Sequence, residues 1–149
     1  KFEPVIDQEL TEVDYGSWSG KKLAVLSRNK MWKTVQESPS RMYFPGGEGI
    51  AQMQSRAMKS VHEAVSSKAK GSVVIVSHGD VIKSIVASAL GMHLDEFQRI
   101  VIDPASISIL DFSTTKPRTL LLNDSRSVVT ELLVAPKRSK NLLGGGAGR

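Results

Sequence analysis

The sequence predicts an α/β layered domain, in which helices pack against apolar strands. Residues 72–77 provide the first observation, because the run Val-Val-Ile-Val within them is typical of a strand buried on both faces. Residues 50–68 and residues 80–90 provide the second, because their apolar side chains recur at the spacing of an amphipathic helix. Helices that alternate with apolar strands in this way are typical of the α/β class.

Local patterns predict the remaining elements. Residues 4–6 form a short apolar segment with strand character, and residues 21–37 have the apolar positions of a helix that Ser38-Pro39-Ser40 ends. Gly91 is suited to end the helix over 80–90. The sequence further predicts a short helix at 95–99 and two strands, at 106–112 and 119–123.

Two glycine-containing loops lie between these elements. Residues 10–20 read Leu-Thr-Glu-Val-Asp-Tyr-Gly-Ser-Trp-Ser-Gly, and residues 44–49 read Phe-Pro-Gly-Gly-Glu-Gly. Glycine, proline and hydroxyl residues at this density indicate structured loops.

Composition and charge exclude several classes of protein. The 149 residues contain no cysteine, which excludes disulfides, thiolate metal sites and cysteine nucleophiles. No apolar run approaches the length of a membrane span, and the first four residues lack a signal-peptide pattern. Four of the 20 basic residues and none of the 15 acidic residues lie at 133–149, so the rest of the chain is nearly neutral. We therefore expect no basic groove for nucleic acid. The absence of cysteine fits a cytoplasmic protein, which is the location we predict.

A histidine stands at the junction between the strand over 72–77 and the helix after it. His78 is expected beside a helix N-terminus, where unpaired backbone N–H groups and the helix dipole favour an anion. Gly79 has no β-carbon, so a ligand can approach the backbone closely. An imidazole at this place can bind a phosphate, donate a proton to it or attack it. The alternative is a histidine that ends the strand by chance or lies in a polar network.

The other two histidines carry no comparable pattern. His62 is followed by Glu63 on the helix over 50–68, but Ser66 stands where a zinc-protease helix has its second histidine. We interpret His62 and His93 as surface residues, and the sequence predicts no metal site.

Three segments, in their order and spacing, resemble the histidine phosphatase superfamily, also called the phosphoglycerate mutase-like family. The loop over 10–20 is similar to the family's catalytic-acid loop, and the loop over 44–49, with Arg56 after it, to its proline-glycine-glutamate segment. Residues 77–80 are similar to its second catalytic-histidine motif. The resemblance covers residues 3–124 and looks closest to actinobacterial members described as phosphomutases. It implies a three-layer α/β/α sandwich with a mostly parallel sheet.

The resemblance also implies phosphoryl transfer through a phosphohistidine intermediate. In the family, one histidine attacks the phosphoryl group, a second histidine and arginines bind its equatorial oxygens, and a carboxylic acid protonates the leaving oxygen. By resemblance, His78 is the second histidine, and Glu12 is the acid and later the base that activates water. To act as an acid near neutral pH, this carboxyl group needs a raised pKa so that it keeps its proton. Gly79 and Glu48 are expected to bind phosphate or substrate, and the mechanism needs no metal or cofactor.

Several residues keep a second interpretation. Glu12 alone reads as a solvated loop carboxylate, and Asp14 is a rival acid. Glu48 is expected either to order its loop or to border the substrate pocket, and Arg56 to form a structural ion pair rather than to bind phosphate. The remaining expectations are packing for Tyr15 and Trp18, and for Asp80 a helix cap that complements the helix dipole.

The family's strand ending in Arg-His-Gly has no counterpart in this sequence, and His78 alone of the three histidines occupies a family motif. We therefore expect an N-terminally truncated domain. Residues 1–124 are interpreted as the C-terminal two-thirds of one domain, and residues 125–149 as a flexible, basic and glycine-rich tail. The nucleophile cannot be assigned, so the chain alone is expected to be inactive. It is also expected to be poorly stable, because the missing strand is central in family members.

The expected partner is a small phosphorylated metabolite, with no nucleic acid and no membrane. The oligomeric state stays open, a homodimer included. Phosphatase and phosphomutase share their first half-reaction, and the sequence does not separate them. The alternative function is a non-catalytic pseudo-phosphatase that binds a phosphorylated ligand or a protein. A third interpretation, nucleic-acid binding through residues 133–149, predicts salt-sensitive binding that is lost when they are deleted.

Overall fold

A computed structural model of the chain describes residues 3–67 and 71–126. The described residues form two substantial α-helices, a pair of short helical segments and one β-hairpin, joined by loops and single turns of 3-10 helix. The regular elements, in chain order, are α1 (Leu23–Leu26), α2 (Trp32–Glu37), α3 (Ile50–Ser66), α4 (Gly79–Ala89), β1 (Ile107–Asp111) and β2 (Arg118–Asp124). The 3-10 turns are Gln8–Leu10, Gly16–Trp18, Pro39–Arg41 and Leu94–Arg99.

Helices α3 and α4 pack against each other and form the centre of the core. Each helix buries an apolar stripe, as its sequence period predicts. Met53 and Ala57 of α3 and Val81 of α4 have no exposed surface, and Phe97 from the last 3-10 turn is equally buried. The predicted helices over 50–68 and 80–90 are therefore confirmed, with α3 ending at Ser66. The described residues contain no helix long and apolar enough to cross a membrane.

The predicted helix over 21–37 is instead two short helices, α1 and α2. Local hydrogen bonds interrupt it: the Ser27 hydroxyl donates to the Ala24 carbonyl oxygen, and the Asn29 side chain accepts from the Met31 amide. Serine and asparagine side chains offer the backbone such alternatives to helical hydrogen bonding, so apolar spacing alone overestimated the helix length.

The two predicted strands at 106–112 and 119–123 are confirmed as β1 and β2. They pair antiparallel, with Ile109 opposite Leu121 and Asp111 opposite Arg118. This hairpin is the sheet of the described residues, so a mostly parallel sheet is not confirmed, although the chain has the α/β class of its structural neighbours.

The strand predicted at 72–77 is absent, and the same holds for residues 4–6. Val74 exposes 78% of its surface and Val76 88%, which contradicts a strand buried on both faces. A strand exists through hydrogen bonds to a neighbouring strand, and no described residue supplies that ladder here. The β-branched residues therefore prefer a strand locally, but no neighbouring strand among the described residues pairs with them. The tail predicted at 125–149 lies outside the described residues from 127 onward.

Candidate active site

The two glycine-containing loops pack backbone against backbone and form the floor of the site. The Ser17 amide donates to the Pro45 carbonyl oxygen at 2.8 Å, and the Glu48 amide donates to the Asp14 carbonyl oxygen at 3.0 Å. A β-carbon at Gly47 would collide with the Asp14 carbonyl group. The sequence indicated structured loops, and the structure adds that Gly47 is needed for the close approach of the two backbones.

An ion pair ties the second loop to the segment that carries Glu12. The carboxylate of Glu48 accepts from the Arg56 guanidinium, 2.6 Å from Nη2 and 3.0 Å from Nε, and also from the Asp14 amide at 2.9 Å. Both Glu48 oxygens therefore have protein partners. This arrangement favours the interpretation in which Glu48 orders its loop, and Arg56 forms the expected ion pair.

The segment before α4 meets the Glu12 loop through Ser77. The Ser77 hydroxyl donates to the Leu10 carbonyl oxygen at 2.7 Å, which brings the start of α4 beside residues 10–12. His78 is the residue that precedes the first turn of α4, with extended backbone angles and an exposed side chain. A β-carbon at Gly79 would meet no atom within 4 Å, so the space above this helix N-terminus is open.

Glu12 lies close enough to His78 for the two side chains to interact electrostatically. Its side chain is half-buried, and the Val13 amide donates to its Oε1 at 2.9 Å. Burial raises the pKa of Glu12, and the negative charge of Asp80 raises it further. The hydrogen bond from the Val13 amide and the electrostatic interactions with His78 and Arg56 oppose that rise without cancelling it. A carboxyl group with a raised pKa can hold a proton closer to neutral pH than an ordinary glutamate.

Asp80 lies in the first turn of α4 and binds side chains rather than capping the helix, so its expected role as a cap is wrong. Its carboxylate accepts from the Tyr15 hydroxyl at 3.0 Å and pairs with Lys83 at 3.4 Å. Its position still places a negative charge where the helix dipole favours one. Burial, followed by the charges of Asp80 and Glu12, raises the pKa of Tyr15, so this hydroxyl stays protonated as a donor.

Aromatic packing supports this corner of the site, as expected for Tyr15 and Trp18. The Tyr15 ring meets Phe44 edge to face, with ring centroids 5.1 Å apart, and Trp18 stacks on Trp32 at 6.3 Å. A cavity of about 400 Å³ opens between these rings and Asp80. The site therefore has an apolar side next to its charged side.

The contacts of two polar residues in this region were not predicted from sequence. Ser77 joins the two segments, and Lys83 contacts both Asp80 and the Gln98 side chain. The signal for Lys83 is its spacing of three residues from Asp80 on one helix. Ser77 lies in the segment that resembles the second catalytic-histidine motif, but no local pattern predicts its hydrogen bond, because the partner lies 67 positions earlier in the chain.

The remaining histidines lie elsewhere. His62 is exposed on α3, and His93 is exposed before the last 3-10 turn, where its Nδ1 accepts from the Asp95 amide. Over residues 3–67 and 71–126, no group of three or more potential ligands forms a metal cluster.

Proteins of known type match most of this chain in sequence or in fold. Phosphoserine phosphatase 1 of Hydrogenobacter thermophilus is 26% identical over 124 residues, covering 82% of this chain and 59% of the relative. The chain thus spans well under two-thirds of that relative's length. Among solved structures, a phosphoserine phosphatase mutant from Entamoeba histolytica, in complex with phosphoserine, superimposes with a TM-score of 0.75. It is 18% identical, and the match covers 84% of this chain and 64% of that one.

A mycobacterial glucosyl-3-phosphoglycerate phosphatase, solved with inorganic phosphate, gives a TM-score of 0.68 at 23% identity, covering 80% of this chain and 64% of that one. At these identities the structural matches establish the fold alone. The family model for the histidine phosphatase superfamily, branch 1, matches residues 1–125. With both glycine-containing loops and the Ser77–Asp80 segment inside that match, the chain belongs to the histidine phosphatase superfamily.

Proposed function

We propose that the intact protein transfers the phosphoryl group of a small phosphorylated metabolite through a phosphohistidine, as a phosphatase or a phosphomutase. The observation that carries this proposal is the hydrogen bond from the Ser77 hydroxyl to the Leu10 carbonyl oxygen, which brings His78, at the N-terminus of α4, beside the segment that carries Glu12. The raised pKa of Glu12 supports its part as the proton donor. Phosphoryl transfer depends on positioning and charge neutralisation, and these two groups offer a proton donor and a phosphate-binding group side by side.

In this proposal, His78 and the first backbone amides of α4 hold the equatorial oxygens of the phosphoryl group. Gly79 leaves room for that group to approach the backbone. A histidine nucleophile forms the new N–P bond while the bond from phosphorus to the leaving oxygen breaks. Glu12 gives its proton to the leaving oxygen and then takes a proton from water, which cleaves the N–P bond and releases phosphate. In a mutase, a substrate hydroxyl takes the place of water.

The nucleophile is not assigned to any residue of this chain. His62 and His93 are exposed on other parts of the described structure, which supports the prediction that residues 1–149 alone do not turn over a phosphomonoester. We further propose that residues 1–124 belong to a larger three-layer α/β/α domain with a mostly parallel sheet. The exposed side chains of Val73, Val74 and Val76 support that arrangement, because this segment has no strand partner among the described residues and can pair with a neighbouring strand.

The substrate class is inferred from chemistry and from the relatives. Relatives carry the names phosphoserine phosphatase, probable 2-carboxy-D-arabinitol-1-phosphatase and probable phosphoglycerate mutase. We propose a small phosphomonoester for this protein too, and a cytoplasmic location. No residue of the site distinguishes a phosphatase from a mutase.

Substitution of His78 tests this function in the intact protein. His78→Ala should lower turnover of phosphomonoesters at least about a hundredfold, the scale of losing a charge contact in the transition state. His62→Ala is the matched control, because it removes an exposed histidine from α3 and should leave turnover unchanged. Near-normal turnover in His78→Ala would remove His78 from this role. Phosphate binding by an intact protein that shows no turnover would instead favour the pseudo-phosphatase.

A further inference from the structure

We propose that Arg56, held in place by Glu48, is a positioning residue for Glu12: it fixes the backbone around that residue and so aims its carboxyl group at the leaving oxygen. This inference deepens the proposed function and rests on it. Arg56 itself touches neither substrate nor phosphate in this proposal.

The guanidinium group of Arg56 holds two carbonyl groups of the segment that carries Glu12. Its Nη1 donates to the Glu9 carbonyl oxygen at 2.6 Å, and its Nη2 donates to the carbonyl oxygen of Glu12 itself at 3.1 Å. These contacts cross from the middle of α3 to a segment more than 40 positions away in sequence. The backbone of Glu12 is therefore fixed by a helix of the core rather than by its own loop.

Glu48 completes the arrangement on the other side of Glu12. Its Oε1 accepts from the Asp14 amide at 2.9 Å, while the same carboxylate binds Arg56. Between the two fixed positions, the Val13 amide donates to the Glu12 carboxylate at 2.9 Å. A change in the backbone at Glu12 or Asp14 would thus move the Val13 amide and, with it, the carboxyl group that the amide holds.

Arginine suits this role for a geometric reason. Three of its nitrogens are used at once, with Nε and Nη2 on Glu48 and Nη1 and Nη2 on the two carbonyl groups. A lysine keeps the charge but has a single nitrogen and cannot make this planar, forked set of bonds. The two side chains expose 19% and 20% of their surface, so little water competes for these bonds.

Arg56 and Glu48 both stay ionised, so the ion pair between them is permanent. Burial opposes ionisation of Glu48, but the hydrogen bonds from Arg56 and from the Asp14 amide outweigh it and lower the pKa of Glu48. The hydrogen bond to Glu48 likewise raises the pKa of Arg56. Arg56 and Glu48 therefore stay ionised while Glu12, with its raised pKa, gains and loses its proton. The groups that act electrostatically on Glu12 are Asp80, His78 and Arg56.

A second ion pair provides a matched control. Arg118 pairs with Asp111 across the β-hairpin, and their side chains are 27% and 17% exposed, close to the values for Arg56 and Glu48. Arg118 contacts the Asp111 carboxylate through Nη2. Arg118→Lys therefore changes an ion-paired arginine of similar burial at a place where no role in the site is proposed. It measures what such a substitution does through stability alone.

The decisive experiment compares two leaving groups in the intact protein. p-Nitrophenolate leaves without a proton, whereas the alkoxide of an alkyl phosphate such as phosphoserine needs one. Hydrolysis of the phosphohistidine is common to both substrates and also uses Glu12, so the comparison uses kcat/KM, which ends with phosphohistidine formation. Arg56→Lys should lower kcat/KM for phosphoserine about tenfold or more, because the general acid is misplaced, and lower kcat/KM for p-nitrophenyl phosphate much less. Arg118→Lys should leave the ratio of the two rates unchanged. Equal losses on both substrates in Arg56→Lys would overturn the inference.

Amide hydrogen exchange in the intact protein tests the Arg56–Glu48 pair without any turnover. In Arg56→Lys, exchange at the Val13 and Asp14 amides should rise about tenfold or more, while the core amides of α3 and α4 stay near their wild-type rates. Arg118→Lys should leave the two loop amides unchanged. Unchanged exchange at Val13 and Asp14 in Arg56→Lys would contradict the positioning role. A wild-type intact protein that transfers no phosphoryl group from a panel of small phosphomonoesters, these two included, would instead refute the proposed function.

Discussion

Substitution of Gly47 by alanine should separate the two loops that form the floor of the site. The backbone of Gly47 lies so close to Asp14 that an added β-carbon would collide with the Asp14 carbonyl group and with the Gly16 amide. Both are backbone atoms, so no side-chain rotation relieves the collision. The loops must move apart, and the hydrogen bonds between them must lengthen or break.

The expected loss of stability follows from those hydrogen bonds. Three are at risk: Ser17 amide to Pro45 carbonyl oxygen, Glu48 amide to Asp14 carbonyl oxygen, and Asp14 amide to Glu48 carboxylate. At about 1 kcal/mol net for each hydrogen bond, Gly47→Ala should lower the free energy of unfolding by about 3 kcal/mol.

Gly46 offers a control with a different physical requirement. It adopts a φ of +72°, but a β-carbon there would meet no atom within 4 Å. Gly46→Ala therefore introduces only the strain of a left-handed backbone, about 1 kcal/mol. Gly47 has no positive φ, so its substitution introduces the collision alone.

Urea unfolding followed by the fluorescence of Trp18 and Trp32 measures both variants, since these two stacked rings lie beside the first loop. The expected order of stability is wild type, Gly46→Ala, Gly47→Ala. A loss in Gly47→Ala no larger than that in Gly46→Ala would refute the argument from close approach.

Three further predictions concern the core and the ionisable groups. Met53 is fully buried between α3 and α4, so Met53→Ala should lower the free energy of unfolding by about 3 kcal/mol in the same assay. Because the pKa of Glu12 is raised in the folded state, the protonated carboxyl group stabilises the folded state below pH 4.5. That stabilisation is lost as pH rises through the folded-state pKa of Glu12. Glu12→Gln should therefore gain stability relative to wild type from pH 4.5 to 7, and a constant difference would contradict this. Hydrogen bonds from Ser113, and then from Arg118, lower the pKa of Asp111 to about 2, so its stabilisation is present above pH 3.8 and lost as pH falls to about 2. Asp111→Asn should be less stable than wild type at pH 7 and equally stable near pH 2; thermal unfolding at the two pH values decides the matter.

The sequence by itself determined the elements whose stability is local or depends on one apolar stripe. Helices α3 and α4 follow from the 3.6-residue period, and the hairpin follows from two apolar runs separated by Thr114-Thr115-Lys116-Pro117. The sequence also identified the motif segments, because Glu12, Glu48 and the Ser77–Asp80 segment follow one another in the order of the family's motifs. Local patterns failed where side chains competed with the helix backbone at Ser27 and Asn29.

Only the tertiary structure decided which residues act on one another. The Arg56 contacts with Glu9 and Glu12, the Ser77 contact with Leu10 and the Tyr15 contact with Asp80 each join positions more than 40 residues apart. No local pattern specifies such a partner, because it depends on how α3 and α4 pack. The same reason accounts for the Val73–Val76 run: its residues prefer a strand, but a strand needs hydrogen bonds from another segment, and the described structure provides none there.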